Sequence, residues 1–270
     1  MFNYCDAEDD LRKVWGGPIL QLARRRRSEV RLRHNGISSH NPAVARQAAG
    51  TGLIDVLMFS VNPCYDLLPP SDDVDTLWAD ESYARELHNI DPERPLLYEF
   101  CEREGVAIDV MKAYGGGDLL SGTNSPFGKP MTPVQCIEYA LTRPGVAAVM
   151  AGCRSRTEIE AALAWCTATA AQRDYTQALT GLGRFSWEGH CMYCGHCAPC
   201  PMGIDVASVT EFWRLAVAQG AVPETVREHY AALPHTASEC IACGACESRC
   251  PFGVPVIENM KQAAKLFEKS

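Results

Sequence analysis

Apolar and polar positions along residues 10–180 alternate between short apolar runs and longer helical stripes. The runs Ile54–Phe59, Ala107–Met111 and Val146–Ala151 are each five or six residues long and mostly non-alternating. Such runs suit strands buried on both faces of a parallel sheet. Val30–Ile37 is a more polar candidate strand, and Met1–Cys5 a fifth. Between them lie helix starts. Asn41-Pro42 and Asp91-Pro92 each pair a capping side chain with proline at the first helical position, and Leu96, Leu97, Phe100 and Cys101 follow at helical spacing. Thr132-Pro133-Val134-Gln135 and Thr157-Glu158-Ile159-Glu160 read as capping boxes, the second leading into Ile159, Ala162 and Leu163. Strand and helix in alternation predict βαβ units, hence a barrel or a doubly wound sheet.

Residues 63–90 break the rhythm with Pro63, Pro69, Pro70 and the acids Asp72, Asp73 and Asp75. This is either a loop over a ligand site or a solvated insertion. Arg24–Arg27 close a predicted helix, where cations oppose the negative dipole end.

Charge narrows the function classes. With 25 Lys+Arg against 33 Asp+Glu the 270-residue chain carries a net −8, which argues against nucleic acid as a partner. No apolar run reaches the roughly 18 residues that span a bilayer, and the start, Met1–Asp6, has no basic-then-apolar leader. A cytoplasmic protein without a membrane partner is expected.

The cysteines change the picture most. Of 14, six are scattered before residue 191 and eight fall within 191–250. Without a secretion signal, metal or redox chemistry is a better reading than disulfides. Cys191, Cys194, Cys197 and Cys200-Pro201 form one set; Cys240, Cys243, Cys246 and Cys250-Pro251 form another. The second matches C-x2-C-x2-C-x3-C-P, the bacterial ferredoxin run, in which three close cysteines cover three irons of a cubane and the fourth ligates the other cluster. That logic assigns Cys191, Cys194, Cys197 and Cys250 to one [4Fe–4S] cluster and Cys240, Cys243, Cys246 and Cys200 to a second. Zinc sites usually join two CxxC units across a longer gap, so iron–sulfur is the stronger reading. The first set has two rather than three residues before its last cysteine. The 39 residues between the sets read as helices, Val206–Val217 and Pro223–Leu233. His190 and His196 flank ligands and could donate to cluster sulfur. Cys5, Cys64, Cys101, Cys136, Cys153 and Cys166 have no ligand spacing and are expected to be mostly small buried hydrophobes.

The segments Arg33–His40, Ile54–Phe59 with Asn62, Val110–Leu120, and Arg143–Gly152 resemble strands five to eight of the aldo/keto reductases. With the C-terminal cysteines, the chain is similar to aldo/keto reductase-like oxidoreductases carrying a two-cluster ferredoxin domain. The resemblance implies an α/β chain: a partial (β/α)8 TIM-type barrel over 1–182, then a small, mainly helical ferredoxin-type domain over 183–270. It places cofactor pyrophosphate near Ala113, Gly115, Gly116, Gly117 and Leu119, adenosine phosphate at Arg154, Ser155 and Arg156, and nicotinamide at Asn62. It also marks what is missing. The family's Asp, Tyr and Lys lie upstream of anything here, its catalytic His aligns with Asn3, its stacking Tyr near Met111 and an adenine-contacting Asn near Ala162. Lys112 and His40, at strand ends, are the candidate replacements for catalysis. A full barrel takes about 250 residues, so the barrel reads as N-terminally incomplete. The expected activity is electron transfer between NAD(P)H and a small-molecule substrate or protein redox partner through two [4Fe–4S] clusters. The alternatives are a ferredoxin-like carrier with a barrel remnant as docking scaffold, and a truncated reading of a longer enzyme.

Overall fold

The computed structural model describes residues 1–268, apart from the side chains of 218 and 219. The chain divides into two compact units, Met1–Ala178 and Leu179–Ser270.

The first unit opens with helices α1 (Glu8–Gly16) and α2 (Pro18–Ser28). The last turn of α2 carries Arg25, Arg26 and Arg27, as expected for cations at a helix C-terminus; Arg27 forks onto Asp55 at 3.0 and 3.1 Å. Strand β1 (Gly36–Ser39) leads to α3 (Pro42–Ala49), capped by Asn41, whose side-chain oxygen accepts from the amides of Ala43 and Val44. Then come β2 (Val56–Ser60), α4 (Glu93–Glu104), β3 (Ala107–Met111), α5 (Pro133–Leu141), β4 (Val146–Val149) and α6 (Arg156–Leu163). The four strands are parallel, in the order β1-β2-β3-β4. The Thr132–Gln135 capping box closes as expected.

Four expectations need correction. Residues 30–35 form no strand: Val30 sits at φ +57° and is 83% exposed, and pairing starts only at Gly36, opposite Val56. Met1–Cys5 contributes a single parallel bridge, Phe2 to Ile37, extended by the Cys5 amide donating to the Ser38 carbonyl at 2.9 Å. The strands are not buried on both faces. Leu57, Phe59, Ile108 and Val110 are sealed against the helices, whereas Met58, Asp109 and Met111 on the opposite face are only half-buried, and Ala147 and Ala148 are exposed. The β3–β4 ladder also slips between Ile108 and Asp109, and β4 ends at Val149. Finally, Ser155 rather than Thr157 caps α6, its hydroxyl accepting from the Glu158 amide, and the stripe beginning at Ile159 leaves Ile159 and Leu163 exposed.

Residues 63–90 are part core and part solvated: Asp72, Asp73 and Asp75 are exposed, while residues 63–68 are buried. Three 3₁₀ turns bury Tyr65, Asp66, Leu67, Leu77 and Tyr83. Asp66 is fully buried and accepts from the hydroxyls of Tyr98 and Tyr139, with the Arg94 guanidinium 3.7 Å away. Arg94 also donates to the Ser60 carbonyl and lies 5.0 Å from the Phe59 ring centre, tying α4 to the end of β2. Of the six scattered cysteines, Cys5, Cys64, Cys101 and Cys136 are buried, Cys153 is partly exposed and Cys166 exposed.

The second unit is mainly helical. α7 (Val206–Gln219) and α10 (Val256–Phe267) pack together, with α8 (Glu224–Ala231) against α7 and the short α9 (Ala245–Arg249) against α10. α7 and α8 cover the two helices expected between the cysteine sets.

Candidate functional site

Both cysteine motifs fold into one local shape because their spacing repeats. In Cys191–Cys197 and Cys240–Cys246 the residue before the middle cysteine, Tyr193 or Ala242, and the glycine after it, Gly195 or Gly244, all take positive φ, between +55° and +78°. Alternating left-handed residues curl each loop tightly, and the glycines hold that conformation without strain. Each motif then ends in Cys-Pro-x-Gly followed by Ile204 or Val254, with the glycine amide donating to the last cysteine's carbonyl, at 2.9 Å for Gly203 and 3.4 Å for Gly253. Each repeat runs straight into a long helix, at Val206 or Val256.

Two cavities result, and their walls exchange a ligand. One is lined by Cys191, Cys194, Cys197 and Cys250, with Phe252 and Val254 among its apolar wall. The other is lined by Cys200, Cys240, Cys243 and Cys246, with Ile204 and Met260. Each contains about 370–390 Å³ of space, open solvent at the mouth included. Val206 and Val256 line both, so the first residue of each long helix stands in the partition. All eight cysteines are free of disulfides. Among the described residues no three His, Cys, Asp or Glu side chains converge on a point that could hold a single metal ion. The thiols instead stand around each cavity. Burial pushes Cys194 up to about 11 and Cys197 to about 12, so as free thiols they stay protonated. A bound cationic cluster is what would draw out their thiolates. Four thiols and a mostly apolar wall, with His196 and Thr210 beside the first set, are a lining that fits a [4Fe–4S] cubane.

In the first unit, side chains gather at the C-terminal ends of β1 and β3. His40, 8% exposed, places Nδ1 3.0 Å from Asp6 Oδ2, and Asp6 Oδ1 accepts from the His40 amide and, at 3.1 Å, the Ser39 hydroxyl. Asn41 donates to the Asp6 carbonyl and the Asp72 carboxylate. Burial alone would raise Asp6, but the hydrogen bonds and charge of His40, with the Ser39 hydroxyl, outweigh it and hold the carboxyl below its usual range. Lys112 sits at φ +57°, Nζ 4.3 Å from the Trp78 ring centre. Burial pulls its amine below the usual value against the pull of Asp6 and Asp75. The sequence pattern did not single out Asp6 or Trp78: Asp6 follows no motif, and Trp78 lies in a loop whose 3₁₀ turns leave no periodic trace.

Beside this cluster a cavity of about 1620 Å³, open solvent included, is lined by Lys112, Ala113, Tyr114, Gly116, Gly117, Asp118 and Arg154 among others. Gly116 and Gly117 leave open space where a Cβ would stand, and the buried Tyr114 hydroxyl has no hydrogen-bond partner among the described residues. Other residues named from the sequence do not face it. Gly115 and Leu119 are buried behind the wall, Ser155 is spent as the helix cap, and Arg156 pairs with Glu160 at 2.7 Å. Asn62 is fully buried. Its amide nitrogen donates to the Lys112 carbonyl and its oxygen accepts from the Cys64 and Tyr65 amides, so it locks the β2 end to the β3 end rather than presenting an amide to a ring. No helix among the described residues is long and apolar enough to cross a membrane.

Compared with known proteins, residues 189–254 match the 4Fe-4S dicluster domain family, about a quarter of the chain. No curated protein and no solved structure matches the chain. The match spans both cysteine motifs and the two helices between them, and it supports an iron–sulfur electron-transfer function for this part of the molecule.

Proposed function

We propose that this chain is an iron–sulfur oxidoreductase resembling the aldo/keto reductases, with two [4Fe–4S] clusters in its second unit and a nucleotide- and substrate-binding cavity in its first. One observation carries the reading: the eight clustered cysteines divide into two cavity walls of four, each completed by the last cysteine of the other motif. Cys191, Cys194, Cys197 and Cys250 would hold one cluster, and Cys200, Cys240, Cys243 and Cys246 the other. When bound, such clusters take up and release single electrons. The residues of the chain supply the apolar walls and set the electrostatics around them.

For the first unit, the strand order following the sequence without reversal supports an arc of a barrel rather than a doubly wound sheet. The wall from Lys112 to Asp118 supports the phosphate end of a nicotinamide dinucleotide through exposed backbone at Gly116 and Gly117; Arg154 on the same wall is paired to Glu158 at 3.2 Å. Asp118 on the same wall opposes a pyrophosphate, and Asn62 offers the nicotinamide nothing. The Asp6 carboxylate accepts the Nδ1 proton of His40 and so leaves Nε2 as the proton-accepting nitrogen. Lys112 provides a cation for a carbonyl or carboxylate oxygen.

Anaerobic purification tests the first half of the proposal. About eight irons and eight acid-labile sulfides per chain are expected for two cubanes; a chain that carries zinc alone would sink it. Titration with NADPH tests the second half, with quenching or a shift of cofactor fluorescence expected. Clusters that dithionite reduces in a chain deaf to NADPH would favour the second reading, an electron carrier whose first unit is a docking scaffold.

A further inference from the structure

The two cysteine repeats correspond position by position through their third cysteine, after which the second carries one extra residue before Cys250; their charges do not correspond. Where the first repeat has His190 ahead of its first ligand, the second has Glu239; His196 is matched by Ala245, and Ala198 by Glu247. The largest difference is Arg249. It directly precedes Cys250, the ligand that crosses over, at the place where the first repeat has Pro199. Its side chain turns back onto the first repeat's loop. Nε donates to the His196 carbonyl at 3.2 Å, and Nη2 to the carbonyls of Cys197 and, at 2.8 Å, Pro199. One guanidinium thus clamps three carbonyls within residues 196–199, beside the cavity of Cys191, Cys194, Cys197 and Cys250. A second cation, Arg214 of α7, lies 3.2 Å from His190 Nε2 next to Cys191. The other cavity has anions at its edge. Glu239, beside Cys240, is held by His235 at 2.8 Å and by the Thr236 amide, and Glu247, beside Cys246, accepts from the Ile257 amide at 2.8 Å.

A cluster gains one negative charge on reduction, so a nearby cation favours its reduced form and a nearby anion its oxidised form. We propose that Arg249 is a positioning and charge-setting residue that makes the cluster held by Cys191, Cys194, Cys197 and Cys250 the higher-potential one, so that electrons entering the pair settle there first. The inference rests on the two-cluster reading above. It adds a direction to it.

The test is an EPR-monitored redox titration of the full-length chain loaded with iron and sulfide under anaerobic conditions, wild type against Arg249→Met, Arg249→Lys and Glu247→Gln. The wild type is expected to show two separate midpoints. Arg249→Met should lower the upper midpoint and leave the lower one in place. Arg249→Lys, which keeps the charge but cannot fork onto three carbonyls, should fall between. Glu247→Gln keeps the acceptor for the Ile257 amide and should raise the lower midpoint alone. Because Arg249 is exposed, added salt should narrow the gap more in the wild type than in Arg249→Met. A single wild-type midpoint overturns the inference, as do potentials that stay put or move together in the variants while the iron count holds near eight. Should Arg249→Met fail to load, Arg249→Lys and Glu247→Gln decide the same question. A wild-type chain that never approaches eight irons overturns the two-cluster reading itself, and the inference with it.

Discussion

Asp66 and Asp6 are both buried carboxylates, and their surroundings set them opposite tasks. Burial pushes Asp66 up, against Arg94 and the hydroxyls of Tyr98 and Tyr139, and its role is to compensate a guanidinium that has no water around it. Asp66→Ala should cost about 3–5 kcal/mol, because it strands the Arg94 charge in the core; equilibrium chemical denaturation measures this directly. Asp6 is held low instead, so its sign is the reverse. Between its lowered folded value and the ordinary carboxylate value the unfolded chain binds more protons, and stability rises with pH across that window. Asp6→Asn should therefore be destabilising near neutrality, by about 1–3 kcal/mol. Its deficit against the wild type should shrink as pH falls through about 4 and below. A deficit constant from neutral to acid pH would show that the carboxylate charge does nothing for His40.

At the scale of elements, some of the chain was legible in advance and some was not, for separable reasons. Asn41 and Thr132 announced their helices because a cap is a local interaction, complete within four residues. α6 was misread by two residues because Ser155 and Thr157 each stand three positions ahead of a glutamate, and only geometry shows which hydroxyl meets an amide. Ser155→Ala should destabilise the first unit by about 1 kcal/mol and Thr157→Ala by clearly less; the reverse order in thermal melts would restore the sequence-based start. Val30–Ile37 fails as a strand over its first six residues because the polar residues that weaken its pattern, Arg31, Arg33 and His34, stay at the surface. The iron–sulfur character of the cysteine segment was legible, since its ligand spacing is a local pattern, and residues 189–254 match a 4Fe-4S dicluster domain. The Asp6–His40 pair was not, since Asp6 reaches β1 through the pairing of residues 2–5 with residues 36–38, a long-range contact with no sequence mark. The proposed crossed ligation gives its own prediction at this scale. Cys250→Ser should remove the cluster of the first cavity and leave about four irons, although the substituted residue belongs to the second motif. The EPR signal that survives should be the lower-potential one.

At the scale of the whole molecule, the proposed clusters would couple metal to folding in only one of the two units. A structural metal site stores its binding energy as folding energy, and all eight candidate ligands lie in Leu179–Ser270. Stripping iron by oxidation and chelation should therefore erase amide hydrogen-exchange protection across residues 189–254 while β1–β4 keep theirs. Protection lost equally in both units would mean that the first unit cannot hold its sheet without the second.

Consider last the partition made by Val206 and Val256. Because each cavity borrows its fourth cysteine from the opposite motif, filling either one pins both halves of the repeat around that shared wall. The ordering entropy of the second site is then already spent, and its ligands are presented in place. Loading should accordingly be all-or-none. With iron and sulfide supplied at half the required amount, native mass spectrometry should find chains that are empty and chains that are full, with half-filled ones scarce.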